Sequence, residues 1–232
     1  MNNTDFFDFP LSRREKIYGA VWLLFEALLF SPVLQFFNSL LPTPLPQTEL
    51  NFLFFSVNFA TVVFLLREYL LDQLWLVPQV IGRIVLTVIV GFLSYWVANF
   101  LVSGLILALD PQFSSVNDNA VADLVSENYT LMWIGTVLLV PITEESLFRG
   151  VVFRGIYDRS PSLAWILSVV TFALLHIVGY IGAYSPVRLL LCFVQYIPAG
   201  ICLAEAYRLS GSLLSPILIH AAVNFVGMMV LR

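Results

Sequence analysis

The run YTLMWIGTVLLVPITEESLFRGVVFRG, residues 129–155, decides how this chain folds. Its first twelve residues carry no charge, and then Glu144, Glu145 and Arg149 arrive within six positions. Continued to Tyr157, the segment is long enough to cross the hydrocarbon core of a bilayer as a helix. A charged side chain at the bilayer centre costs about 2.5–3.5 kcal/mol on insertion scales, so charges there need partners inside the protein. Glu145 and Arg149 supply one explanation: they stand at i and i+4 with the acid N-terminal, the favourable order for a helical ion pair. Arg154 and Arg159 are expected to snorkel to the inner interface. Glu144 is left over, about 100° around the helix from Glu145.

The rest of the chain agrees with a membrane setting. Of its 232 residues, 59% are hydrophobic and 11% charged, where soluble domains carry about 25% charge. Mean hydropathy is +0.90. Apolar segments fall at about 17–41, 51–66, 81–107, 129–157, 161–179, 187–207 and 212–231, separated by Pro- and Gly-containing breaks such as LPTPLPQ and SGS. The expected fold is all-α, a polytopic transmembrane helix bundle of about seven to eight spans. An extra piece near 67–82 is invisible to this reading. The expected organisation is one bundle, with motif-free spans over 1–128 and a motif-bearing core over 129–232. The first sixteen residues are polar and of mixed charge, unlike a cleavable signal.

Basic residues set the expected orientation. Arg13, Arg14, Lys16, Arg67, Arg83, Arg149, Arg154, Arg159 and Arg208 fall on one side of a seven-span weave, and only Arg188 and Arg232 on the other. The loop 108–128 carries four acids and no Lys or Arg. This predicts a multi-pass protein, N-terminus cytoplasmic, C-terminus outside, in what is read as a bacterial plasma membrane. The lipid bilayer is its expected partner. The cations are too few and dispersed for nucleic acid. Cys192 and Cys202 lack CxxC spacing and read as small buried residues.

The chain has two histidines, both in apolar spans: His176 ending FALLH and His220 in SPILIHAAVNF. Phe172 lies one turn before His176, and Asn224 one turn after His220 on the same face. Ionisable groups inside membranes usually face a bundle interior or a wet cavity and mark function. Glu144, His176, His220 and Asn224 are therefore expected to converge. Depth supports this: at 1.5 Å per residue, Glu144 lies about 20 Å and His176 about 22 Å from the inner helix ends. His220, about 13 Å from Gly211, agrees only if the 208–212 turn is sunk below the interface. Glu26 interrupts the first span and reads as a hydrogen-bonded core acid, a partner for another span or a gate. Glu205 and Arg208 read as an interfacial pair. Gln195, Tyr196 and Pro198 read as a kink, whose freed carbonyl nearby polar groups would satisfy.

A carboxylate beside a histidine can take a proton from water and return it to a leaving group. A second histidine and an amide can donate to a developing oxyanion. That set suits peptide hydrolysis. Two histidines plus a carboxylate also suit zinc or another divalent metal, with Glu144, His176 and His220 as ligands. The HExxH spacing is missing, and water activated by glutamate requires no cofactor.

EESLFR (144–149), FALLH (172–176) and HAAVN (220–224) resemble the EExxxR, FxxxH and HxxxN motifs of the CPBP intramembrane proteases. That family holds type II CAAX prenyl endopeptidases and bacteriocin-processing and abortive-infection-like proteins. The resemblance covers about 129–232, and no motif position departs from the pattern. It implies Glu144 as the base, His176 sharing its water, His220 and Asn224 on the oxyanion, and Glu145, Arg149 and Phe172 in support. The expected substrate is a membrane-embedded or lipidated peptide cut near the inner face. Two other classes remain open at this level: a noncatalytic membrane protein in bacteriocin self-immunity, and a proton-coupled transporter, although no internal repeat favours the latter.

Overall fold

The computed structural model describes residues 9–232. The first eight, on which half of the signal-peptide reading rests, lie outside the described residues. The chain folds into helices α1 (Arg13–Ser39), α2 (Gln47–Leu65), α3 (Arg67–Leu109), α4 (Val116–Glu127), α5 (Tyr129–Tyr157), α6 (Pro161–Val178), α7 (Pro186–Ser210) and α8 (Leu214–Val230). Six of them are long and apolar enough to cross a membrane, and α8 is a shorter apolar helix. The all-α polytopic bundle is what the apolar segments predict.

Half of the apolar window of α5 is buried against 17% for α1, so α5 is the inner helix and α1 a peripheral one. On α3, Leu86, Ile89, Leu93, Phe100 and Leu101 stand exposed at helical spacing, an outward stripe suited to lipid. α7 packs against α3, α6 and α8.

Two helix starts are fixed by one acid. Ser12 and Glu15 form a reciprocal capping box: Glu15 N donates to Ser12 Oγ at 3.2 Å and Ser12 N to Glu15 Oε2 at 2.9 Å. The other oxygen, Oε1, accepts from Tyr69 N at 2.9 Å, in the orphan-donor turn of α3. The starts of α1 and α3 therefore share one face of the bundle.

α3 begins fourteen residues earlier than the apolar run at 81–107 implies. Its first part, 67–80, buries Tyr69, Gln73, Leu76 and Val80 on one side and exposes Leu71, Leu74 and Trp75 on the other. It bends at Val80 (φ −122°, ψ 15°), two residues after Pro78, where the ring removes a helical hydrogen bond. This segment covers the turn between α7 and α8. Gly211 ends α7 in the left-handed conformation at φ 72°, which a side chain would resist. Ser210 and Ser212 have no exposed surface, and Leu213 N donates to Gln73 Oε1 at 2.8 Å. The turn is thus covered by protein.

On the opposite face, the acidic loop contains α4, a helix the apolar pattern does not show. Thr48 Oγ1 donates to Glu127 Oε2 at 2.5 Å, and Arg188 Nη2 to Ser114 Oγ at 2.6 Å, tying this segment to α2 and α7.

Wider π turns occupy 26–30 and 134–139, each leading into a proline, Pro32 and Pro141, that cannot donate to the preceding turn. A third π stretch, 146–154, follows the paired glutamates. There Ser146 Oγ donates back to Ile142 O at 2.6 Å, competing for a helical carbonyl.

Candidate active site

α5 presents Glu144 and Glu145 between two of these π stretches. Arg149 is fully buried, and its Nη1 donates to Glu145 at 2.9–3.0 Å. Its Nη2 donates to Gly200 O on α7 at 3.1 Å. The guanidinium also lies over the Phe172 ring, 4.7 Å from its centroid. The predicted ion pair is present, and Glu145 does more than pair with Arg149. Glu145 Oε1 also accepts from His220 Nδ1 at 2.8 Å, so one buried carboxylate joins α5 to α8. Spacing assigns Glu145 no role toward His220, because it reports neighbours on a helix and says nothing across helices.

The ring nitrogens follow from the partners. A backbone carbonyl only accepts, so His176 Nδ1, 2.8 Å from Phe172 O, carries a proton. The same holds for His220 Nδ1 beside the Glu145 carboxylate. In both residues Nε2 is left for chemistry. Phe172 is the wedge between them, with its ring 4.7 Å from His176, 6.0 Å from His220 and 5.4 Å from Phe148. Asn224 Nδ2 donates to Thr136 O at 2.9 Å, pinning α8 to the π turns of α5. A second amide N–H remains on the same nitrogen.

Glu144 is half-buried, and its Oε2 is shut away from solvent without a hydrogen-bond partner. Among the described residues no hydrogen bond joins it to either imidazole. Its charge interacts with Arg149 and with Glu26 of α1. Glu26 is buried and accepts a short hydrogen bond from Asn58 Nδ2, while Asn58 Oδ1 accepts from Trp22 Nε1 at 2.6 Å. Glu26 is therefore both a hydrogen-bonded core acid and a partner to another span. The motif-free half of the chain brings it to the edge of the site. Only the count of residues along the span pointed there: Glu26 lies 13 residues, about 20 Å, from the start of α1, the same depth as Glu144.

His176 stands two residues from the end of α6, on the face that carries α4; in the orientation that the basic residues predict this is the outer face, not the inner face where cleavage is expected from the sequence. Gln195 and Tyr196 do not satisfy a proline-freed carbonyl. Both bond to Asp118 of α4, and α7 continues past Pro198 to Ser210. Arg154 does not snorkel: it is 4% exposed and pairs at 2.7 Å with Asp158, the residue that caps the end of α5. Glu205 and Arg208 pair at 2.7 Å as read, and Trp165 Nε1 also donates to Glu205. Both cysteines are free thiols, Cys192 buried and Cys202 half-buried.

Among the described residues no three His, Cys, Asp or Glu side chains are grouped so as to hold a metal ion. Glu144, His176 and His220 are not gathered as ligands, and both Nδ1 atoms are committed elsewhere.

Residues 126–226 match the family model of the type II CAAX prenyl endopeptidase Rce1-like proteins. The "uncharacterized 24.3 kDa protein" of Escherichia coli is 26% identical over 186 residues, spanning 77% of this chain and 81% of its own length. No solved structure matches the chain. All seven motif side chains fall inside the matched segment. The three motifs and the match point the same way: residues 126–226 are similar to the Rce1-like proteins of the type II CAAX prenyl endopeptidase family.

Proposed function

We propose that this protein is an intramembrane endopeptidase in which Glu144 activates water against a peptide bond of a membrane-embedded or lipidated substrate. The carrying observation is the buried Glu144 Oε2 without a protein partner, beside a second acid, Glu145, that is already held by Arg149 at 2.9–3.0 Å and by His220 at 2.8 Å. An orphaned buried carboxylate oxygen is costly unless water or substrate meets it.

Glu144 takes a proton from water as the oxygen attacks the scissile carbonyl carbon. His176 accepts from the same water through Nε2. The tetrahedral oxyanion is met by His220 Nε2–H and the second N–H of Asn224. For that donation His220 acts as the imidazolium, whose charge lies against the Glu145 carboxylate. Glu144 then returns the proton to the amide nitrogen as the C–N bond breaks. No metal takes part in these steps.

The test is a membrane reporter carrying a farnesylated CAAX peptide, together with a proteomic comparison of cells bearing the native or the Glu144→Gln protein. Glu144→Gln is expected to lower cleavage by about 10²–10⁴-fold, the usual contribution of a general base, with the protein still folded. Cleavage at the native rate would overturn the assignment.

A further inference from the structure

We infer that Tyr196 is a positioning residue for His176, and that α4 holds it there through Asp118. The Tyr196 ring stacks on the imidazole with centroids 4.1 Å apart and planes 25° apart. Phe172 covers His176 at 4.7 Å, and its carbonyl fixes Nδ1. Three contacts from two helices thus set the ring plane and direct Nε2, while His176 itself sits near a helix end where backbone constraint is weakest.

The stack is itself anchored. Tyr196 OH donates to Asp118 Oδ1 at 2.7 Å and accepts from Asn117 Nδ2 at 3.0 Å. Gln195 Nε2 donates to Asp118 Oδ2 at 3.1 Å. Both oxygens of one carboxylate are occupied by consecutive residues of α7. Asp118 is placed by its own helix start: its N donates to the N-cap Ser115 Oγ at 3.3 Å, and an acid in a first turn is favoured by the helix dipole. A phenylalanine at 196 would stack but could not be tethered. A tyrosine serving only to dock α4 would have no need to lie flat on a histidine. Arg188 makes a separate tie from α7 to Ser114 at 2.6 Å, without touching Tyr196.

The experiment compares Tyr196→Leu, Tyr196→Phe, Asp118→Ala and Arg188→Ala in the full-length protein in liposomes. Carbethoxylation rates of His176 and His220 are read by mass spectrometry, and kcat and KM are read on the farnesylated reporter. Tyr196→Leu is expected to raise the His176 rate about fivefold, the population change commanded by one ring stack, with His220 unchanged. It lowers kcat about 10- to 100-fold at constant KM, as expected when a catalytic group is misplaced. Tyr196→Phe and Asp118→Ala both give intermediate values, because each removes the Tyr196–Asp118 hydrogen bond while the aromatic ring at 196 stays. Arg188→Ala changes nothing. An unchanged His176 rate in Tyr196→Leu, or an equal effect from Arg188→Ala, overturns the inference. The kinetic half rests on the peptidase reading. If the native protein cleaves nothing while the modification pattern holds, that reading fails and the positioning of His176 stands.

Discussion

Arg149 has no exposed surface, and its charge is met by Glu145, by the Gly200 carbonyl and by the face of Phe172. Removing one partner of a buried pair leaves an uncompensated charge and costs about 3–5 kcal/mol, whereas replacing both partners by apolar groups is often close to neutral. Glu145→Leu is therefore expected to lower the unfolding midpoint in detergent strongly, and the double variant Glu145→Leu/Arg149→Met to recover much of it. Peptidase activity will not recover with it, because His220 Nδ1 has lost its acceptor. Reporter turnover is expected to stay down by about 10²–10⁴-fold, the scale of an oriented acid–base group. Equal recovery of stability and turnover would show that Glu145 serves Arg149 alone. The pairing of Glu145 with Arg149 was legible, being four residues apart on one helix. Its bond to His220 was not, since 75 residues separate the two and no periodicity links them.

The first part of α3 illustrates what an element contributes beyond hydropathy. Arg67, Glu68 and Asp72 dilute the apolar signal of 67–80, so the apolar run starts only at 81. Yet this piece roofs the α7–α8 turn, and Gln73 caps the start of α8 by accepting from Leu213 N. Gln73→Ala is expected to cost about 1 kcal/mol, the usual net worth of one hydrogen bond, read as a shift in the unfolding equilibrium. Glu144 and His176 are untouched, so turnover per folded molecule should hold. A large fall in turnover without loss of stability would mean that the depth of the turn governs the placement of His220. α4 escaped the sequence for a related reason: its surface is polar, its length is short for a span, and its register is set by contacts to α7 rather than by its own pattern.

Across the whole molecule the two faces differ in charge. Arg13, Arg67, Arg159 and Arg208 mark one face, and Asp110, Asp118, Asp123 and Glu127 the other. The positive-inside rule predicts that a cysteine placed at Asp123 in intact bacterial cells reacts with a membrane-impermeant thiol reagent, and that one placed at Arg159 reacts only after permeabilisation. The reverse pattern would invert the protein and put His176 toward the cytoplasm. Chelator treatment of the purified protein is expected to leave reporter cleavage intact, since water activated by glutamate needs no metal. Loss of cleavage restored by added zinc would replace Glu144 as sole activator.

The amino-acid sequence by itself determined the long apolar helices, because long uncharged runs have no other way to satisfy their backbone in hydrocarbon. It also determined the motif residues, because charges and histidines there are too costly to be incidental. The tertiary structure alone decided which acid is spent and which is open. Glu144 and Glu145 are neighbours of identical chemistry. They differ only in what faces them: Arg149 and His220 close around Glu145, while Glu144, beside Glu26, makes no hydrogen bond or ion pair among the described residues. Packing between helices made that distinction, and packing between distant segments leaves no periodic trace along the chain.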